Sequence, residues 1–172
     1  ASLLGRARPR AGVGSDSHPF GPGSPLALGG VRIEGAPRLH GHSDGDVALH
    51  AVADALLGAA SLGDLGRHFP ADRSTPRGIA SGELLRSVVA RVREAGYRPT
   101  SVDLTIVAAR PRLAGRLDPM RDAIAGLLGL APDRVNVKAS TGNLAGMEGA
   151  GRGISAQAVV LVEPVGPGSD AR

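Results

Sequence analysis

The chain has 172 residues and a formal net charge of +4, a length that suits one domain with its own core. Aromatic residues are nearly absent (Phe20, Phe69 and Tyr97 are all there are), which excludes a stacking platform for single-stranded nucleic acid. There is no cysteine, so disulfides and thiolate metal sites are excluded as well.

Residues 1–10 read as a flexible arm. "RAGVGSDSH" follows as an extended segment, and "LALGGVRI" (26–33) as a strand or hairpin arm with an internal turn. "DVALHAVADALLGAAS" (46–61) is a helix whose apolar positions Val47, Leu49, Val52, Ala53, Leu56 and Leu57 favour one side. Residues 62–82 are rich in Gly, Pro and polar side chains and read as a long loop. "SGELLRSVVARVREAG" (81–96) is a second helix, with Ser81 as its N-cap and Gly96 just past its end. "SVDLTIVAAR" (101–110) is a strand. "LDPMRDAIAGLLGL" (117–130) is a third helix, with Asp118 as N-cap and Pro119 at its first position. "RVNVKAS" (134–140) and "ISAQAVVLVE" (154–163) are strands, and the loop between them carries five glycines in residues 142–153. Residues 164–172 read as a disordered tail. This order of elements predicts an α/β sandwich, one domain spanning 11–163, with no internal repeat.

Lys138 is the only lysine among the basic residues. The arginines read either as biased composition or as a preference for an anionic ligand, since guanidinium forks match phosphate oxygens. No basic cluster is dense enough for a DNA-binding face. No apolar run reaches the roughly 20 residues that span a bilayer, and "ASLLGRARPRAG" lacks the apolar core of a signal peptide. The expectation is a soluble cytoplasmic protein with neither a nucleic-acid nor a membrane partner.

The chemistry-bearing pattern starts at "SDSHPF" (15–20). In a strand, residues i and i+2 face one side, so Asp16 and His18 project together, and Pro19 biases His18 toward extended backbone. In "HGHSDGDVALHAVAD", Asp46, His50 and Asp54 share a helix face at i, i+4 spacing. His50 would complete a set of two histidines and one carboxylate, with Asp46 or Asp54 accepting its second ring N–H. Two nitrogens, one oxygen and an open position suit catalytic zinc, and iron or manganese also fit. The plain alternative is a chance D-x-H beside an ordinary helical histidine.

"GVGSDSHPF", "HGHSDGDVALHAVADALLGAASLGDLGRHFP", "VDLTIVAARP" and "VNVKAST" together resemble the 2-C-methyl-D-erythritol 2,4-cyclodiphosphate synthase family, over residues 10 to 163. The resemblance implies a mixed sheet with helices on one face, the sheets packed around a three-fold axis in a homotrimer, and active sites between subunits. It implies Zn2+ on Asp16, His18 and His50, and a second divalent cation, Mg2+ or Mn2+, on a diphosphate. It implies a phosphorus–oxygen lyase of the non-mevalonate isoprenoid pathway: a phosphate of the small-molecule cytidine diphosphate substrate attacks the β-phosphorus, CMP leaves, and a cyclic diphosphate forms. His42 and Thr141 would stabilise the transition state from either side. Asp16, His18, Ser43, Asp64, Gly66, Ser140 and Asn143 would also touch substrate. Residues 108–114, with Ala108, Arg110, Arg112, Leu113 and Ala114, would form the cytosine pocket, Arg112 replacing the family's usual lysine.

The glycine-rich loop departs from the family pattern. Aligned without gaps, Asn143 falls on a glutamate that helps hold the second metal, Met147 on a phenylalanine, Ala150 on an arginine and Arg152 on a glutamate. Ala71 falls on a common aspartate, and Ser15 on an often apolar residue that lines the pore along the trimer axis. Two other readings stand beside the synthase: a zinc-binding trimer that has lost turnover, and a non-haem iron enzyme, whose usual H-x-D/E order is reversed here.

Overall fold

Alternating glycines at the start of the first strand set the architecture. Gly12 and Gly14 lie where an added Cβ would come within 1.9 Å of the Ala55 carbonyl oxygen and 2.1 Å of the Ala51 carbonyl oxygen. The strand can therefore lie flush against a helix whose facing residues, Ala51, Ala55 and Ala59, are also small and buried. The computed structural model describes residues 8–166. Its strands are β1 (Arg10–Pro19), β2 (Leu26–Leu28), β3 (Val31–Ile33), β4 (Tyr97–Val107), β5 (Val135–Ser140) and β6 (Gly153–Pro164). Its helices are α1 (Val47–Ala59), α2 (Leu65–His68), α3 (Ser81–Glu94), α4 (Leu117–Leu128) and α5 (Gly146–Gly149).

The main sheet has the order β1-β6-β4-β5. Both pairings of β6 are antiparallel, whereas β4 and β5 run parallel around α4, so the sheet is mixed as anticipated. Its inner face carries Val102, Leu104, Ile106, Ile154, Ala156, Ala158, Val160 and Val162, all buried with α1 and the inner faces of α3 and α4. Burying one leucine such as Leu56 or Leu85 contributes about 2 kcal/mol, so this single core carries much of the stability. Among the described residues, no helix covers the outer face. There Val13, Val159 and Leu161 are 63%, 42% and 45% exposed, beside Ser15, Gln157 and Asp103. β2 and β3 form a separate hairpin that turns at Gly29 and Gly30, both with positive φ, as a two-residue turn of this kind requires.

Several expected boundaries move. Arg10 already belongs to β1 and Pro164 still belongs to β6; residues 8–9 and 165–166 flank them outside any element, and 1–7 and 167–172 of the expected arm and tail lie outside the described residues. The expected loop at 62–82 contains α2, started by Asp64, whose carboxylate accepts from Arg67 N at 2.9 Å. Ser81 is not an N-cap: α3 is preceded by Ala80, which makes no side-chain cap bond, and the Asp44 carboxylate accepts from Ser81 N instead, at 3.0 Å. Asp118 is not one either. Arg116 precedes α4, and Asp118 lies inside its first turn and pairs with Arg121 at 3.1 Å. β4 ends at Val107, so residues 108–110 leave the sheet as a loop. Among the described residues, no helix is long and apolar enough to cross a membrane.

Candidate metal centre

β1 alternates as its sequence demands. Gly12 and Gly14 meet α1, so Asp16 and His18, two and four residues further on, project to that same side. The close contact of α1 with β1 then brings His50, one turn before Asp54, over the pair. Asp16 Oδ2 lies 2.9 Å from His18 Nε2 and 2.9 Å from His50 Nδ1. The two rings are edge-on, with centroids 5.7 Å apart. One ligand atom from each of the three residues lies within 4.8 Å of the others.

The far side of each ring decides which nitrogen faces the centre. His18 Nδ1 donates to the His40 carbonyl oxygen at 2.5 Å. A carbonyl only accepts, so Nδ1 holds a proton, and Nε2 is the nitrogen left facing Asp16: it donates to the carboxylate while protonated and would present its lone pair to a metal once that proton is lost. His50 Nε2 lies 2.9 Å from Ser81 Oγ and 3.1 Å from Ser43 Oγ. The expectation that Asp46 or Asp54 would take this N–H does not hold. Asp46 is spent on Gly29 N, Gly30 N and Leu49 N, capping α1 and closing the hairpin turn, and Asp54 accepts from Leu65 N at 2.7 Å. Position i±4 puts a side chain on the right face, but both carboxylates were claimed by nearer backbone donors.

The charges agree with a cation site. Burial pushes the Asp16 carboxyl up, but hydrogen bonds from His18 and His50 outweigh it and hold the group well below the usual carboxylate range. The bond to Asp16 raises His18 above the ordinary imidazole value, against burial. Two imidazoles crowd one carboxylate oxygen, each with its outer nitrogen engaged, so the donor set of two nitrogens and one oxygen fits a divalent transition metal.

Asp16, His18 and His50 line a cavity of about 350 Å³ with His42, Ser43, Asp54, Gly66, Phe69 and Thr75. His42 Nε2 donates to the Thr75 carbonyl at 2.8 Å, which pins the ring to the wall. Asp64 stands at the start of α2 beside Gly66. The other anticipated residues do not line this cavity. Ala108, Arg110, Arg112, Leu113 and Ala114 occupy the loop after β4, and Ser140, Thr141 and Asn143 the end of β5 and the glycine-rich loop. These two loops are tied to each other: Ala108 N donates to the Ser140 carbonyl at 2.9 Å, and Arg110 Nε to the Gly151 carbonyl at 2.8 Å while its guanidinium stacks 4.6 Å over the Phe20 ring. The residues anticipated at one site thus fall in two separate clusters. Reading the sequence missed Ser81 and Asp44 as neighbours of the metal centre. Ser81 is 31 residues from His50, and nothing in either segment's periodicity signals that contact.

The YgbB family model matches residues 9–163. A 2-C-methyl-D-erythritol 2,4-cyclodiphosphate synthase of Symbiobacterium thermophilum is 50% identical over 151 residues, covering 88% of this chain and 96% of the relative. A bifunctional enzyme IspD/IspF of Anaeromyxobacter dehalogenans is likewise 50% identical over 151 residues, but there the match spans only 39% of the relative's length. Among solved structures, 2C-methyl-D-erythritol-2,4-cyclodiphosphate synthase in a CDP-bound form superposes with a TM-score of 0.78 at 36% identity, over 90% of this chain and all of that one.

Proposed function

The chain belongs to the YgbB family, and on that premise we propose that it converts 4-diphosphocytidyl-2-C-methyl-D-erythritol 2-phosphate into 2-C-methyl-D-erythritol 2,4-cyclodiphosphate and CMP. The observation that carries the reading is the convergence of Asp16, His18 and His50 on one point of a cavity also walled by His42 and Ser43.

In this reaction an oxygen of the 2-phosphate attacks the β-phosphorus. The bond from that phosphorus to the bridging oxygen breaks, and CMP departs with the electron pair. The nucleophile is already ionised and tethered, so the protein needs no covalent intermediate; it must fold the substrate back, align it and neutralise charge. Asp16, His18 and His50 would hold zinc, which when bound supplies Lewis-acid neutralisation of the phosphoryl oxygens. His42, anchored through Nε2, keeps its other ring edge toward the phosphates, and Ser43 offers its hydroxyl there. Asp64 uses Oδ1 to start α2, and its second oxygen serves a ribose hydroxyl, with Gly66 allowing close approach. Residues 108–114, with Arg110 and Arg112, take the cytosine and its phosphate, and Ser140, Thr141 and Asn143 meet the diphosphate.

Two features support a homotrimer with shared sites. The outer face of the sheet is uncovered and exposes Val13, Val159 and Leu161, and the cytosine-side residues do not share the metal cavity of their own chain. A partner's loops would then complete each cavity. A second divalent ion finds one neutral donor in Asn143, where a carboxylate would serve it better, so no step is assigned to it. A cytoplasmic location and a single catalytic domain over 11–163 belong to the same proposal. The intact His42–Ser43 pair at the cavity speaks for turnover rather than binding alone. The test is CMP release from the cytidine diphosphate substrate, run beside sedimentation. No CMP from a zinc-loaded protein, or a one-chain mass with full activity, would refute the synthase or the shared site respectively.

A further inference from the structure

The outer partner of His50 is unusual in its wiring. Ser81 is 1% exposed, at the first position of α3, and its hydroxyl has one proton to give. That hydroxyl is in tight contact with Asp44 Oδ1, while Asp44 Oδ2 accepts from Ser81 N at 3.0 Å. Asp44 thus grips Ser81 by both its backbone and its side chain. A carboxylate only accepts here, so the Ser81 proton points to Asp44, and Ser81 Oγ meets His50 Nε2, 2.9 Å away, with a lone pair. The nearby Ser43 Oγ is farther from Nε2, at 3.1 Å, and already accepts from Gly45 N at 3.1 Å.

We propose that Asp44 and Ser81 form a positioning dyad that draws the His50 proton to Nε2 and so turns the Nδ1 lone pair to the metal. The direction of each bond follows from the first. Asp44 takes the hydroxyl proton, Ser81 takes the Nε2 proton, and the remaining ring nitrogen is the one 2.9 Å from Asp16 Oδ2. His18 obtains the same result from a backbone carbonyl. For His50 the carboxylate acts at one remove, through a serine supplied by a different helix. The dyad also leaves the Ser43 hydroxyl proton for a ligand in the cavity. α3 is thereby more than a support for the core, since its first residue sets the protonation of a metal ligand.

This inference rests on the metal reading of Asp16, His18 and His50, and the test separates the two. Zinc affinity is measured by chelator competition for the full chain and for Ser81→Ala, Asp44→Asn, the double variant, Ser81→Thr and His50→Ala. Thermal melts establish that each variant is folded. The dyad predicts roughly 10- to 100-fold weaker zinc binding for each single variant, the range for lost outer-shell partners. The double variant should be no weaker than the worse single one, because both break one relay. Ser81→Thr, which keeps the hydroxyl, should recover affinity, and excess zinc should restore turnover of Ser81→Ala with KM little changed. In the zinc form, nitrogen NMR should show the His50 proton on Nε2, and Ser81→Ala should broaden or shift that signal. Unchanged zinc affinity in both single variants, with His50→Ala binding lost, overturns the dyad and leaves the metal centre standing. A wild-type chain that binds zinc no better than His50→Ala overturns both. Should Asp44→Asn fail to fold, Ser81→Ala decides alone.

Discussion

The two clusters of candidate site residues are built in opposite ways. The metal cluster sits on a strand and a helix pressed together through Gly12, Gly14 and Ala51, and each of its rings is engaged on both edges. The distal cluster hangs on loops. Ser140, Thr141 and Asn143 are exposed, Asn143 and Leu144 have positive φ of 49° and 65°, and the tie to the rest of the chain is largely backbone carbonyls and the Arg110–Phe20 stack. A metal ligand must hold a lone pair within tenths of an ångström, so it is made from regular structure. A base or diphosphate can be gripped by loop backbone, which tolerates substitution; the expected departures at Asn143, Met147, Ala150 and Arg152 fall there, whereas those at Ser15 and Ala71 line the cavity of the metal cluster.

The largest effect should come from the metal cluster itself. His50→Ala should abolish stoichiometric zinc binding and CMP release together while leaving the distal loops intact, so that CDP still protects them from proteolysis. Zinc retained at full stoichiometry would dissolve the distinction between the clusters. Next comes the contact that seats the helix. Gly14→Val would drive a side chain into the Ala51 carbonyl, and should cost on the order of 3 kcal/mol in a denaturant titration, with zinc affinity falling alongside stability. Normal zinc affinity in a merely destabilised protein would show that the cluster does not depend on this close approach.

A smaller effect concerns pH. In the metal-free protein, Asp16 is held low, so its contribution is present above about pH 4 and is lost only as pH falls toward the lowered value. His18 is raised, so its contribution is full below about pH 6.5 and is lost as pH rises through the raised value. The metal-free Tm should therefore fall as pH climbs above about 6.5, and His18→Gln should flatten that slope. Zinc should reverse it, because its ligands bind deprotonated. A metal-free Tm that rises with pH equally in both proteins would contradict this account.

The smallest effect belongs to the distal side. Asn143→Glu restores a carboxylate where one neutral carbonyl stands, and should lower the magnesium or manganese needed for half-maximal CMP release a few-fold. The left-handed backbone at this residue, which asparagine accepts more readily than glutamate, offsets part of the gain by about 1 kcal/mol in stability. An unmoved metal titration would show that residue 143 lies away from any second ion. Zinc binding should be indifferent to the change either way.

Legibility divides along the same line. The period of β1 placed Asp16 and His18 on one side, and the helical pattern placed His50 opposite, because both depend on local geometry that sequence spacing encodes. The partners of His50 were not legible. Spacing alone cannot tell which of three nearby carboxylates will be taken by backbone donors, and Asp46 and Asp54 were. Ser81 looked like a helix cap because its residue type and position fit one; the actual cap comes from Asp44 across a tertiary contact. α2 was hidden because four residues, LGRH, are too few to show a period. The pairing of β1 beside β6, the first strand with the last, likewise has no local signature.

The separation of the two clusters within one chain has a genetic consequence. Under the proposed three-fold assembly each site takes its metal cluster from one subunit and its loops from the next. A chain crippled at His50 and another crippled at Thr141 are then each inert alone. Co-assembled in equal amounts, they place an intact metal cluster against an intact loop cluster in about a quarter of the sites. Two dead alleles expressed in one cell should complement, and purified dead proteins should regain activity when unfolded and refolded together but not when merely mixed.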